Sequence, residues 1–291
     1  MKKATTLDEQ IELYRSRGCE LDLQEEEIKN ILLDVGYYRL GFYAFPFEKT
    51  YPSKEKRSHE YKPGTKFSEI VALYELDFNL RMTLLKYINH MEINFRTKLI
   101  YFVSNRYKDN PTWFRSNKIM TPQYIKDFNT EMYDRIKCKQ ESIKRYGDNE
   151  YAPAWKTFDY ATFGNVVSTY ESLLDKTIKI EIASEYGVIK EKVMINYIKA
   201  MKNLRNMVAH GGVLLDYNLE DPLRDGPALK VSNENNCKLY SAILVLQYLL
   251  KSISEKLSQD LEKGIKDVFD DLKGNEKLRI IIKTCSGYSQ K

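Results

Sequence analysis

Apolar residues recur along this chain at three- and four-residue spacing and almost nowhere alternate, the signature of amphipathic helices rather than strands. The longest stripe is Leu73, Leu76, Leu80, Leu84, Ile88, Met91, Phe95, Leu99 and Phe102, which predicts one helix over residues 67–107. Thr6-Leu7-Asp8-Glu9 has capping-box spacing and predicts a helix to residue 17, stopped by Gly18. Ile28, Ile31 and Leu32 predict a second over 24–35, stopped by Gly36. An aromatic stretch at 37–47, with Arg39 among its Tyr and Phe residues, reads as packing against the main helices, with stacking of RNA bases as the sharper alternative. The polar segment 48–66, with Pro52, Pro63 and Gly64, reads as an exposed loop in which His59 is incidental. Thr121-Pro122 is an N-cap and first-turn pair for a long, basic helix to residue 145, poor in aliphatics and free to protrude, bind RNA or clamp a partner. Helices over 155–174, 178–186 and 195–210 follow. Residues 213–231, with Pro222, Gly226 and Pro227, read as a loop placed to cover a site. Asn233 reads as the cap of a helix to 257 carrying Leu239, Ile243, Leu246, Leu249 and Leu250, with further helices at 258–272 and 275–284. With no strand ladder, the predicted fold is all-α. Residues 1–66 form an N-terminal helical and aromatic extension on a helical bundle of residues 67–291, and about 108–150 form a basic helical insertion.

Composition changes this picture mainly through charge. The 291 residues carry a net charge of +5, and residues 96–145 hold 12 Lys/Arg against 5 Asp/Glu, a net of +7 that leaves −2 for the rest. A local basic excess interleaved with aromatics suits a polyanionic partner, because phosphate contacts supply most non-specific nucleic-acid affinity. A solvated helical face is the plainer explanation. Cys19, Cys138, Cys237 and Cys285 are scattered, without a C-x-x-C pair, so no zinc site, metal or disulfide framework is expected and the chain reads as cytoplasmic. No signal peptide or membrane-spanning run is read.

The candidate chemistry lies in Leu204-Arg205-Asn206-Met207-Val208-Ala209-His210-Gly211-Gly212. Arg followed four to six residues later by His is a cheap pattern, with ~0.4 such pairs expected by chance for a chain of this composition. Its setting adds more. At about 100° per residue, Lys199, Lys202, Asn203, Asn206 and His210 share one helix face, and Tyr197, Met201, Leu204, Met207 and Val208 the opposite one. The polar face contains no carboxylate of its own, unlike a face laced with i,i+4 ion pairs. Arg205 lies about 140° from His210 on an ideal helix, so one helix does not aim both at a point. His suits proton transfer near neutrality and Arg grips phosphate bidentately. Asn206, one turn before His210, is placed to orient the imidazole or the phosphate. The bland alternative is a helix end with an ordinary Arg and a His near the C-terminal dipole.

Arg205-Asn206-Met207-Val208-Ala209-His210 resembles the R-N-x-x-x-H signature of HEPN-domain ribonucleases, and the chain as a whole resembles the Abi family of abortive-infection proteins, the AbiD/AbiF-like group. Tyr37-Tyr38-Arg39-Leu40, Leu73 through Arg81, Glu92-Ile93-Asn94-Phe95-Arg96, Pro153-Ala154-Trp155 and Thr162-Phe163-Gly164 match family blocks in order over residues 5–215. Val208 stands where the family often has Cys. Gly-Gly-Val-Leu-Leu-Asp replaces the basic segment that often follows the His.

The resemblance implies a HEPN-like helical bundle that cleaves RNA without metal or cofactor, leaving 2′,3′-cyclic phosphate and 5′-hydroxyl ends, in phage defence or as a toxin. Arg205, Asn206 and His210 are then the catalytic set, with Lys199, Lys202, Asn203, Arg96 and Arg81 as RNA contacts. It also implies a homodimer in which two Arg/His sets meet, an RNA substrate, and restraint by a partner RNA or antitoxin, with no membrane. It implies further that the helix over 67–107 packs beside the motif helix, so that Arg96 or Glu92 enters the active-site cleft, with a structural Glu92–Arg96 ion pair as the competing explanation. A non-catalytic RNA-binding or protein-interaction module is the competing function.

Overall fold

Helical periodicity is realised almost throughout the chain. The structure is a computed structural model in which residues 3–147, 150–230, 236–272 and 274–288 are described. It contains α1 (Leu7–Ser16), α2 (Glu25–Asp34), α3 (Tyr37–Ala44), α4 (Phe67–Arg106), α5 (Pro122–Phe128), α6 (Asp134–Lys139), α7 (Glu141–Lys144), α8 (Ala154–Thr157), α9 (Phe163–Ser172), α10 (Lys176–Ser184), α11 (Glu191–Ala209), α12 (Leu239–Lys251), α13 (Glu255–Asp270) and α14 (Glu276–Ser286). Among the described residues, extended pairing amounts to a two-residue parallel pair, Cys19–Glu20 with Thr65–Lys66, and isolated bridges. The fold is all-α. The chain divides into two compact units, one of residues 1–82, 213–216 and 265–291 and the other of 83–212 and 217–264.

In the first unit α1 begins as its sequence requires. The Thr6 side chain accepts from the Glu9 N–H and Glu9 returns a bond to the Thr6 N–H. Tyr14, Tyr37, Tyr61 and Phe67 form an aromatic cluster around the buried Tyr14. Residues 48–66 are tied down rather than simply exposed. Glu48 is buried and ion-paired to Arg57, and His59 Nδ1 lies 3.3 Å from the same carboxylate. Asp77, fully buried, accepts from the Tyr43 hydroxyl at 2.9 Å, from the backbone N–H groups of Leu214 and Leu215 at 2.7 and 2.9 Å, and from Arg81 Nε at 3.2 Å. Burial pushes this carboxyl above its ordinary range, and those four donors oppose the shift.

In the second unit the remainder of α4 packs its Phe95 against Tyr170 and Tyr186. A second aromatic cluster joins Trp113, Phe114, Phe128 and Phe158. The helix expected over 122–145 runs from α5 through a π-turn at Asn129–Tyr133 into α6 and breaks at the extended Gln140, before α7. It does not protrude, since Phe128, Met132, Tyr133, Ile136 and Ile143 are all buried. The expected 155–174 helix is likewise interrupted by a 3₁₀ turn, Phe158–Tyr160, and restarts where the Thr162 side chain caps α9 through the Asn165 N–H. The C-terminal breaks also move, with α12 ending at Lys251 and α13 starting at Glu255. Asn233, the expected cap, lies outside the described residues. The loop over 217–230 lies on the start of α11. Asn196 donates to the Pro222 carbonyl at 3.0 Å and accepts from the Arg224 N–H at 2.9 Å. Gly226 packs so closely on Tyr197 that a Cβ there would overlap the ring hydroxyl.

Candidate functional site

Helix α11 opens with Glu191 in its first turn, where a negative charge complements the dipole, and buries Val193, Met194, Tyr197, Ile198, Met201, Leu204 and Val208. Its end fixes His210. Gly211 adopts φ +68 and donates to the Val208 carbonyl at 3.3 Å, while Gly212 N–H reaches the Met207 carbonyl at 2.8 Å. These two bonds make a Schellman ending, and the left-handed residue it needs is inexpensive only for Gly. His210 is therefore the C-cap, at φ −95 and ψ 12, exposed, with its N–H on the Asn206 carbonyl at 3.0 Å. The 140° separation from Arg205 applies to a continuing helix, and His210 already departs from one.

Arg205 is held rather than free. Its Nε lies 3.3 Å from Glu92 Oε2, and its Nη1 lies 3.4 Å from Asn206 Oδ1. The Glu92 residue, 6% exposed, receives Arg96 Nη2 on its other oxygen at 2.9 Å, and Arg96 also donates to the Ala161 carbonyl at 3.1 Å. One buried carboxylate thus joins two guanidiniums, a trio of net charge +1. The Arg205 side chain retains 33% of its exposure, so it is partly open to solvent. Glu92 restricts Arg205 to a small range of positions, the pre-organisation that bidentate phosphate binding uses.

The polar face of α11 is not free of carboxylates once neighbouring helices are in place. Lys199 Nζ pairs with Glu171 of α9 at 2.7 Å, and Glu92 of α4 reaches Arg205. Lys202 and Asn203 are half-buried and Asn206 is exposed. Of the anticipated RNA contacts, Arg96 therefore joins the Arg205 group as a partner of Glu92, and Lys199 is engaged by Glu171. Arg81 does not join it. It belongs to the first unit, is 7% exposed and is bonded to Asp77, which removes it from a surface that a polyanion would meet. Glu171 and Asn196 were invisible in the sequence, since each acts on a segment 26 to 28 positions away. The i,i+4 spacing of Glu92 and Arg96 was visible, but nothing local points from it to Arg205.

Among the described residues no group of three or more His, Cys, Asp and Glu is arranged to hold a metal ion. No described helix is long and apolar enough to cross a membrane. No curated protein matches the chain, and no solved structure matches it. One family does match, over residues 30–216, a span that runs from within α2 through the Schellman end of α11 and takes in the Glu92–Arg96–Arg205 trio and His210. By that match the chain belongs to the family described as Abi-like protein.

Proposed function

We propose that this chain is an RNA endonuclease of the HEPN type, of the AbiD/AbiF-like group, acting in abortive infection as a growth-arresting toxin. Membership of the Abi-like family supports the phage-defence setting. The observation that carries the chemistry is Arg205, positioned by buried Glu92 and partly exposed, five residues before an exposed His210 at the helix end. In the proposed reaction the RNA 2′-hydroxyl attacks the adjacent phosphorus and the P–O5′ bond breaks. The products are a 2′,3′-cyclic phosphate and a 5′-hydroxyl. One proton leaves the 2′-oxygen and one is delivered to O5′. His210 handles a proton, Arg205 binds the phosphorane oxygens, and Asn206 orients Arg205 through its side-chain oxygen. Two such histidines from a homodimer supply the base and the acid separately. Lys202 and Asn203 contact the flanking RNA. A partner RNA or antitoxin restrains the activity in the uninfected cell.

The test is expression in a bacterial host of wild type, Arg205→Ala and His210→Ala at matched soluble levels, with sequencing of RNA 5′-hydroxyl ends. Growth arrest and new 5′-hydroxyl ends from wild type alone are the expected result. Equal toxicity from all three removes the Arg/His chemistry. A second reading, a non-catalytic RNA-binding module, has one observation in its favour. The segment after His210 spends its Leu214 and Leu215 N–H groups on Asp77 and offers no cation to phosphate. RNA binding by wild type that His210→Ala leaves unchanged, with no cleavage of any RNA, is its signature.

A further inference from the structure

The segment 121–140 and α9 enclose a cleft of about 720 Å³ in the second unit, within the size range of small-ligand sites. Its walls run antiparallel. At one end the Thr121 N–H donates to the Ser172 carbonyl at 2.9 Å and the Tyr124 hydroxyl meets Thr169 at 2.8 Å. At the other, just past α6, Ser142 meets the Tyr160 hydroxyl at 3.1 Å, beside the start of α9.

Charge is segregated along this axis. Asp127 and Glu131 line the end near the α9 C-terminus, where Asp127 also accepts from Gln123 at 2.5 Å. Arg135 and Lys139 line the end near the α9 N-terminus, where the helix dipole adds to their positive sign. The four are spaced at four-residue intervals across the π-turn. That turn shifts the register of the wall by one residue, and such turns collect at functional sites. Tyr160, 39% exposed, offers a ring at the basic end, and the facing wall of α9 is uncharged and polar through Asn165 and Ser168.

We propose that this cleft binds one nucleotide unit. The phosphate lies between Arg135 and Lys139, the base stacks by Tyr160 and extends toward the carboxylates, and the ribose hydroxyls face Asn165 and Ser168. A base carrying an exocyclic amine donates to Glu131 or Asp127, as cytosine N4 does to carboxylates in general. Aromatic stacking plus edge hydrogen bonds is how single-stranded RNA is read. The basic end adjoins the cleavage group, because Ala161, beside Thr162 on the cleft wall, takes the Arg96 hydrogen bond. Two sources supply the same chemistry, a nucleotide of an RNA chain and a free mononucleotide. The first rests on the nuclease reading and the second does not.

The experiment is equilibrium binding of CMP, AMP, GMP and UMP, and of short single-stranded oligoribonucleotides, to the full chain by titration calorimetry. Arg135→Ala with Lys139→Ala is expected to weaken binding tenfold or more. Asp127→Ala with Glu131→Ala, which removes both acceptors, is expected to abolish the preference for amine-bearing bases over UMP. Lys126→Ala, on the same wall but outside the cleft, is expected to bind as wild type, and all variants are compared for equal thermal unfolding. Mononucleotide binding with this pattern identifies the free-nucleotide source, and binding of oligoribonucleotides alone identifies the RNA source. Absence of binding by both, an unchanged R135A/K139A variant, or an equal loss in Lys126→Ala overturns the proposal. Cleavage activity is scored separately. Binding without cleavage by wild type counts against the nuclease and leaves the cleft, and cleavage without this binding pattern does the reverse.

Discussion

Helix α4 carries the same sequence device twice, Asp77 with Arg81 and Glu92 with Arg96, each an acid four residues before an arginine. In the sequence they are indistinguishable, and as isolated surface pairs each would be worth a few tenths of a kcal/mol. In the fold they diverge. Asp77 is fully buried and saturated by Tyr43, two backbone N–H groups and Arg81, all donors that stay inside the protein. Glu92 divides its oxygens between one well-buried guanidinium and one that keeps a third of its exposure. A charge cluster closed on itself stabilises a fold. A cluster with one member left partly in solvent positions that member for an external partner.

The largest expected effect tests the closed cluster. Asp77→Ala strands Arg81 and two backbone N–H groups in the interior, a change that costs about 3–5 kcal/mol. Denaturant unfolding followed by far-UV circular dichroism measures it, and a loss below about 1 kcal/mol would remove the distinction from Glu92. Glu92→Gln comes next. It keeps shape but leaves one acceptor oxygen for the two arginines and turns an NH2 donor on the other, so the stability loss is about 1–3 kcal/mol. RNA cleavage, measured where the variant is fully folded, is expected to fall further than that loss explains. Equal kcat for Glu92→Gln and wild type would make the trio purely structural.

His210→Ala sharpens the contrast from the other side. The side chain is exposed and its cap is made by backbone groups, so stability stays within about 0.5 kcal/mol of wild type while cleavage falls about 10²-fold or more. The smallest effect at neutral pH belongs to a buried group in the unit that holds Asp77. Burial, and next the Asp22 carboxylate, push the Cys19 thiol from 9.0 up to about 12. A raised native value means the contribution is complete below pH 9 and is lost as pH climbs toward 12. The stability difference between wild type and Cys19→Ser is therefore flat from pH 6 to 8 and narrows above pH 9. A difference that stays constant to pH 11 contradicts burial as the cause.

Much of the fold was legible because helical signals are local. The capping box at Thr6, the stripe along α4 and the glycine stop at Gly211 each declare themselves within a few residues. The π-turn at Asn129–Tyr133 did not. It answers to tertiary demands, burying Phe128, Met132, Tyr133 and Ile136 together and bringing the Tyr133 hydroxyl to the Ala152 N–H at 3.0 Å. The candidate site was legible at the level of residue types, through Arg205, Asn206 and His210. Its electrostatics were legible in part: the family resemblance puts Glu92 or Arg96 beside the motif helix, whereas the carboxylate that engages Lys199 arrives from α9 with no local signal. Arg81 misled for the same reason, since burial depends on what packs over a helix.

The π-turn has an evolutionary corollary. A helix with one residue more than the α pattern needs is a single codon away from a regular one. Deleting one codon within 129–133 closes the π-turn into regular helix, and because the turn absorbs the extra residue, Arg135 and Lys139 keep their place on the cleft wall. The same deletion inside α6, where the helix is regular, rotates the residues that follow it by about 100°. The wall therefore tolerates a change of length at the π-turn and not one turn further on.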